Sequence, residues 1–176
     1  MGRYAIFGAG SLGTVLGAFI ARKGGKIDLI NHNIAHVEAL RTKGAAITGT
    51  VDFTQTVTAY TDKEMSGLYD IIILLTKQRD NPSVVSFLLP YLSPDGVIVT
   101  MQNGIPEPAI IEIAGEDRVI GCTVAWGATM KGPGVAELTS SPDSLTFSIG
   151  TLSGKPAIFH TILAPCAARY VTELEA

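Results

Sequence analysis

Apolar and polar positions along the chain switch repeatedly between two periods. Tyr4-Ala5-Ile6-Phe7 is an apolar run of strand length, and straight after it Leu12, Val15, Leu16, Phe19 and Ile20 recur at i, i+3, i+4, i+7 and i+8. That stripe predicts an amphipathic helix, which Gly24-Gly25 is placed to end. Lys26 to Ile30 predicts a second strand, and Ile34, Val37 and Leu40 predict a second helix closed by Gly44. Residues 45–60 alternate around a Gly49-Thr50 break, consistent with a pair of short strands or with an irregular excursion. Ile71 to Leu75 is apolar on both pleat faces, as a central parallel strand covered by helices on both sides requires.

The same grammar continues for another fifty residues. A helix is expected over residues 81–89, with Asn81 as its N-cap, Pro82 at the first helical position and Val84, Val85, Leu88 and Leu89 facing the sheet. Gly96 to Thr100 predicts a strand, Pro106 to Ala114 a short helix closed by Gly115, and Val119 to Val124 a further strand. From Trp126 the pattern changes. Lys131-Gly132-Pro133-Gly134 is a turn signal between residues 124–130 and Val135 to Thr139, and Ser144 to Ile149 alternates with period 2. These segments predict antiparallel additions to the sheet edge. Ile158, Phe159, Ile162 and Leu163 predict a last helix stopped by Pro165.

Chemistry concentrates where strands end. Gly8-Ala9-Gly10-Ser11-Leu12-Gly13 leaves the first strand and opens the first helix, the context in which G-x-G-x-x-G holds a dinucleotide. Gly8 serves the tight turn, Gly10 the approach of a pyrophosphate, and Gly13 the packing of helix on strand. The phosphates would rest on the free N–H groups of the helix N-terminus. With the strand-helix alternation, this gives an α/β class: one domain over residues 1–176, Rossmann-like and doubly wound, with a mostly parallel sheet and antiparallel edge strands near the C-terminus.

In such sheets ligands lie beyond the carboxyl ends of the strands, which makes the next residues candidates. Asn31 stands 18 residues past Gly13, where a carboxylate would select NAD by bonding the ribose hydroxyls. A neutral amide followed by His32 tolerates a 2′-phosphate better, so the preference is NADP, with NAD left open. Lys77 follows the buried strand, and its flexible ammonium can reach phosphate or ribose oxygens; the alternative is a solvated lysine at a loop start. Asn103-Gly104 could be a hairpin turn, but Pro106-Glu107-Pro108 follows in place of a strand, and the Asn103 amide can serve cofactor and substrate together. His36 reads as a helix-surface residue and Trp126 as core.

Composition narrows the partners. Net charge is −3 and the 13 Lys and Arg are scattered, so neither nucleic acid nor an anionic membrane is an expected partner. No apolar run approaches the roughly 20 residues of a membrane span, and the chain opens on a strand that the glycine loop needs. A cytoplasmic protein is expected, with Cys122 and Cys166 as buried thiols. Three separated histidines make a metal site improbable.

The glycine loop, Leu74-Leu75-Thr76-Lys77-Gln78, Gln102-Asn103-Gly104, and Gly121-Cys122 through Pro133-Gly134-Val135 together resemble the ketopantoate reductase (2-dehydropantoate 2-reductase) family over essentially the whole chain. The resemblance implies an N-terminal NADPH-binding domain followed by a helical domain that supplies the proton-donating lysine and most substrate contacts. Carried over by position, Gly8, Ala9, Gly10, Ser11, Leu12 and Gly13 hold the pyrophosphate. His32, next to the cofactor-binding candidate Asn31, stands where the family usually has an Arg that holds the 2′-phosphate. Lys77 contacts the cofactor, Asn103 touches cofactor and substrate, and Gly127 lines the nicotinamide end. The implied activity is NADPH-dependent reduction of a small 2-oxo acid, with the catalytic proton donor expected in the helical domain and unknown here. A homodimer is one assembly the resemblance allows. A dinucleotide-binding or redox-sensing module without catalysis, and a related 2-hydroxy acid dehydrogenase, are the alternatives.

Overall fold

The structure, a computed structural model, describes residues 2–150 and 169–171. In chain order the elements are β1 (Tyr4–Phe7), α1 (Ser11–Arg22), β2 (Asp28–Ile30), α2 (Ile34–Lys43), β3 (Ala45–Gly49), β4 (Phe53–Gln55), β5 (Thr58–Tyr60), β6 (Tyr69–Leu74), α3 (Asn81–Leu88), β7 (Leu92–Thr100), α4 (Glu107–Ala114), β8 (Val119–Val124), β9 (Ala128–Gly132), β10 (Val135–Leu138), β11 (Thr146–Gly150) and β12 (Arg169–Val171). The main sheet has the order β12-β11-β8-β7-β6-β1-β2-β5. From β5 to β8 every neighbouring pair is parallel, and β11 lies antiparallel on β8.

The centre of this sheet is apolar on both faces. Ile71 and Ile73 of β6 enter one core cluster with Val15, Leu16 and Leu29, whereas Ile72 and Leu74 enter another with Val85, Leu88 and Ile110. Each of these side chains is at most 2 % exposed, and at about 25 cal/mol per Å² of apolar surface each fully buried aliphatic contributes roughly 1.5–3 kcal/mol before entropy. The chain leaves β1 on one side to form β2 and returns on the other as β6. The β1/β6 junction is therefore the topological switch point, and its carboxyl edge carries the crevice.

A second sheet, β4-β3-β10-β9, packs on the outer side of α1. The predicted hairpin at 131–134 exists as antiparallel β9 and β10, but β10 pairs in parallel with β3 of this sheet and does not extend the main one. Turn chemistry is local and identifies a hairpin; its host sheet depends on a partner some ninety residues away, which no local pattern encodes. Antiparallel β11 does sit on the edge of β8, as expected.

Two helices differ from their predicted faces. In α2, Ile34 is 68 % exposed and His36 is buried, so the surface assignment of His36 is corrected. In α3, Asn81 is the first helical residue, with Asp80 at the cap position and no side-chain cap bond. The Asn81 amide is turned inward instead, fully buried, so its expected capping role is also corrected. Cys122 is buried, and burial pushes its thiol up to about 12. The predicted helix around Ile158 to Leu163, and Cys166, lie outside the described residues.

Candidate functional site at the carboxyl edge

The glycine loop is a backbone device. Gly8 takes φ +88°, and its N–H and that of Ala9 both donate to the carbonyl of Ile30, at 3.0 and 2.9 Å, tying the loop to the end of β2. A Cβ on Gly8 would stand 2.8 Å from the Thr76 nitrogen, and one on Gly13 would stand 2.9 Å from Ile6 Cγ2. Both positions are closed to side chains by the fold itself. Gly10 is different. The nearest atom to a Cβ there is the Gly8 carbonyl oxygen at 3.8 Å, so the space is open and belongs to the cavity.

That cavity has a volume of 470 Å³ and runs from Gly10, Ser11 and Gly13 to Lys77, Gln102 and Asn103. The first intrahelical bond of α1 runs from Thr14 N–H to Gly10 O at 2.8 Å, which leaves the N–H groups of Ser11, Leu12 and Gly13 ahead of it. Among the described residues no side chain caps this end, and its first turn carries no acidic residue. The positive end of the helix macrodipole therefore faces the cavity, where an anion is stabilised. These backbone features fit a pyrophosphate.

The facing bank is built by amides. Gln102, just after β7, donates through Nε2 to the Thr76 carbonyl and to Asn81 Oδ1, both at 2.8 Å, and its Oε1 accepts from Asn81 Nδ2 at 2.8 Å. This reciprocal pair fastens the end of β7 to the loop after β6. Gln102 thereby sets where Lys77 and Asn103 emerge, and both side chains are exposed on the cavity wall.

A 510 Å³ cavity adjoins the first across Gly8, Gly10 and Lys77, bounded on the far side by Asn31, His32 and Arg79. Asn31 Oδ1 accepts the Asn33 N–H at 2.9 Å, and Asn33 Oδ1 caps α2 by accepting from the His36 N–H at 3.1 Å. Asp62 and Asp80 reach the same cavity, and Asp80 lies 3.4 Å from the Arg79 guanidinium across an exposed ion pair. Sequence reading missed Arg79; the available signal was its place two residues after Lys77 on the same strand-end loop.

Gly127 lines neither cavity. Its N–H donates to Ser140 Oγ and its carbonyl accepts from the Thr139 N–H, each at 3.0 Å. His36, also missed, lies beneath the glycine loop. Its Nδ1 accepts from the Gly134 N–H at 3.0 Å, so the ring proton is on Nε2, which faces Ala9 O at 3.0 Å and Thr14 Oγ1 at 3.2 Å. Burial pushes its pKa down, against a smaller opposing effect of the Ala9 bond. Among the described residues no helix is long and apolar enough to cross a membrane.

A doubly wound sheet with an open glycine cradle at its switch point defines a Rossmann-type domain. The family described as ketopantoate reductase PanE/ApbA matches residues 4–152, and the chain belongs to that family, whose members are oxidoreductases. The 2-dehydropantoate 2-reductase of Pyrococcus horikoshii is 32% identical over 133 residues, covering 75% of this chain and 42% of the relative. The crystal structure of 2-dehydropantoate 2-reductase from Porphyromonas gingivalis superposes with TM-score 0.82 at 23% identity, over 98% of this chain and 64% of that one. A ternary structure of D-mandelate dehydrogenase with NADH and anilino(oxo)acetate has TM-score 0.79 at 21% identity, over 96% and 56%. The chain spans about half the length of the curated relatives it matches.

Proposed function

We propose that this chain is the cofactor-binding domain of an NADPH-dependent reductase acting on a small 2-oxo acid, with 2-dehydropantoate the first candidate. The observation that carries the reading is Gly10: its missing side chain opens onto the cavity, beside an uncapped helix N-terminus, in a chain of the ketopantoate reductase family. When bound, the reduced nicotinamide supplies hydride to the keto carbon. The chain's own part is to bind and orient. Ser11, Leu12 and Gly13 offer N–H groups to the pyrophosphate, Lys77 reaches phosphate or ribose oxygens, and the Asn103 amide orients the carbonyl to be reduced. We place the proton donor outside residues 1–176.

The preference for NADPH rests on the end of β2, where Asn31 and His32 stand in place of a carboxylate and share a cavity with Lys77 and Arg79. Asp62 and Asp80 keep the field there mixed, so the expected preference over NADH is modest. Titration of the full-length native protein with NADPH and NADH tests the reading. Tighter NADPH binding, lost in Gly10→Val, is the expected result; unchanged binding in Gly10→Val would overturn the role of the loop, and tighter NADH binding would overturn the phosphate preference. Steady-state oxidation of NADPH with 2-dehydropantoate then tests the substrate.

A further inference from the structure

The buried imidazole of His36 joins three separate segments around the glycine loop: the loop carbonyl of Ala9, the first turn of α1 through Thr14, and the β9–β10 turn through Gly134. We propose that His36 is a positioning residue for the dinucleotide: held in its Nε2–H form by Gly134, it pins the Ala9 carbonyl and so fixes the backbone from which the loop N–H groups meet the pyrophosphate. The inference rests on the reading that this loop holds a dinucleotide.

The geometry supports it in three steps. A peptide unit is planar, so fixing the Ala9 carbonyl also fixes the Gly10 N–H in the same plane and the direction in which the chain enters α1. Gly10 has no side chain of its own to brace it, and its Cβ direction faces open cavity; its backbone is held within the loop by its N–H on the Gly8 carbonyl at 2.6 Å and by the Thr14 N–H on its carbonyl at 2.8 Å, and His36 adds a restraint from beneath. The support is itself anchored, because Gly134 gives its N–H to His36 while its carbonyl accepts from Ala46 N–H at 2.9 Å. The second sheet thus reaches the loop through one ring.

Protonation would set an Nδ1–H against the Gly134 N–H, two donors 3.0 Å apart, and would eject the ring and release Ala9. The hydrogen-bond partners of His36 are all neutral: the Ala9 carbonyl, the Thr14 hydroxyl and the Gly134 N–H. Across the 310 Å³ cavity between residues 31–33 and 130–133, the other titratable wall residue is His32. His32 is exposed, and it is common to the wild type and both His36 variants.

The test uses NADPH binding by the full-length native protein from neutral to acid pH, with His36→Gln and His36→Asn. Gln can place an N–H near the Nε2 position and does not titrate; Asn can keep an acceptor for Gly134 but cannot reach Ala9. His36→Gln should bind within about threefold of wild type and lose the acid-side weakening, whereas His36→Asn should bind about tenfold more weakly at neutral pH. Wild-type affinity in folded His36→Asn, or an unchanged acid profile in His36→Gln, would overturn the proposal. If His36→Asn does not fold, the His36→Gln profile decides alone. If the wild type binds no dinucleotide at any pH, the reading of the loop fails, a result distinct from binding that ignores both substitutions.

Discussion

The two edges of the parallel sheet are made by the same strands and treat their polar groups in opposite ways. At the amino edge Arg3 Nη2 meets Asp28 Oδ2 at 2.9 Å, the Tyr69 hydroxyl donates to the same oxygen at 3.0 Å, and the guanidinium carbon lies 4.2 Å from the Tyr69 ring centroid. Arg3 also donates from its backbone N–H to Asp70 at 2.8 Å and from Nη1 to the Ser66 carbonyl. Burial, reinforced by the Asp28 charge, pushes the Tyr69 pKa up, so the phenol remains a donor. At the carboxyl edge the half-buried amide of Gln102 and the buried amide of Asn81 are likewise satisfied, but Lys77 and Asn103 make no side-chain hydrogen bond among the described residues. The difference separates closure from recognition. One edge spends its polar groups on itself; the other satisfies the scaffold and leaves Lys77 and Asn103 exposed on the cavity wall.

Substitutions at the two edges test that contrast. Gly10→Val should lower dinucleotide affinity at least about a hundredfold, close to 3 kcal/mol, because the side chain enters the open space we propose for the pyrophosphate. Its unfolding free energy should change by less than about 1 kcal/mol, since only an N-cap preference is touched. Chemical denaturation beside a binding titration separates the two. Gln102→Leu comes next: it strands the fully buried Asn81 amide and should cost about 2 kcal/mol of stability together with several-fold in affinity. A loss of stability alone would show that Lys77 and Asn103 are positioned without that amide pair.

At the other edge, Asp28→Ala removes the acceptor shared by Arg3 and Tyr69 and should cost roughly 1–2 kcal/mol of stability at unchanged cofactor affinity. Coupled loss of affinity in a calorimetric titration would mean that the two edges are not independent. The smallest effect is expected from Lys77→Met, about 1 kcal/mol of NADPH binding with no change in unfolding midpoint, and the difference should shrink in high salt.

How much of this was legible in the sequence depends on the range of the interactions involved. The glycine loop, the buried strand β6 and the hairpin turn are local signals, and each appears where its pattern places it. His36 was missed because Ile34 dominated the reading of α2. The true buried stripe is His36, Val37 and Leu40, at i, i+1 and i+4, and a polar residue on that stripe was the available clue. Asn81 had the spacing of an N-cap, yet a 3-10 turn over Gln78–Asp80 enters the helix ahead of it and frees its amide for Gln102. Both errors have one physical source: a polar side chain whose partner lies twenty or more residues away looks, in sequence, like a surface or capping residue.

The chain's one tryptophan, Trp126, is 6 % exposed and stacks edge-on against Phe147, beside Val15, Leu16 and Phe19 of the helix that carries the glycine loop. An indole in such dry surroundings emits toward the blue, and its emission band overlaps the absorption of a reduced nicotinamide. This protein therefore contains an optical donor set against the back of the helix that follows the glycine loop. Energy transfer from Trp126 can report arrival of a reduced dinucleotide, and a red shift can report separation of that helix from the sheet edge, without an external label on any residue of the crevice.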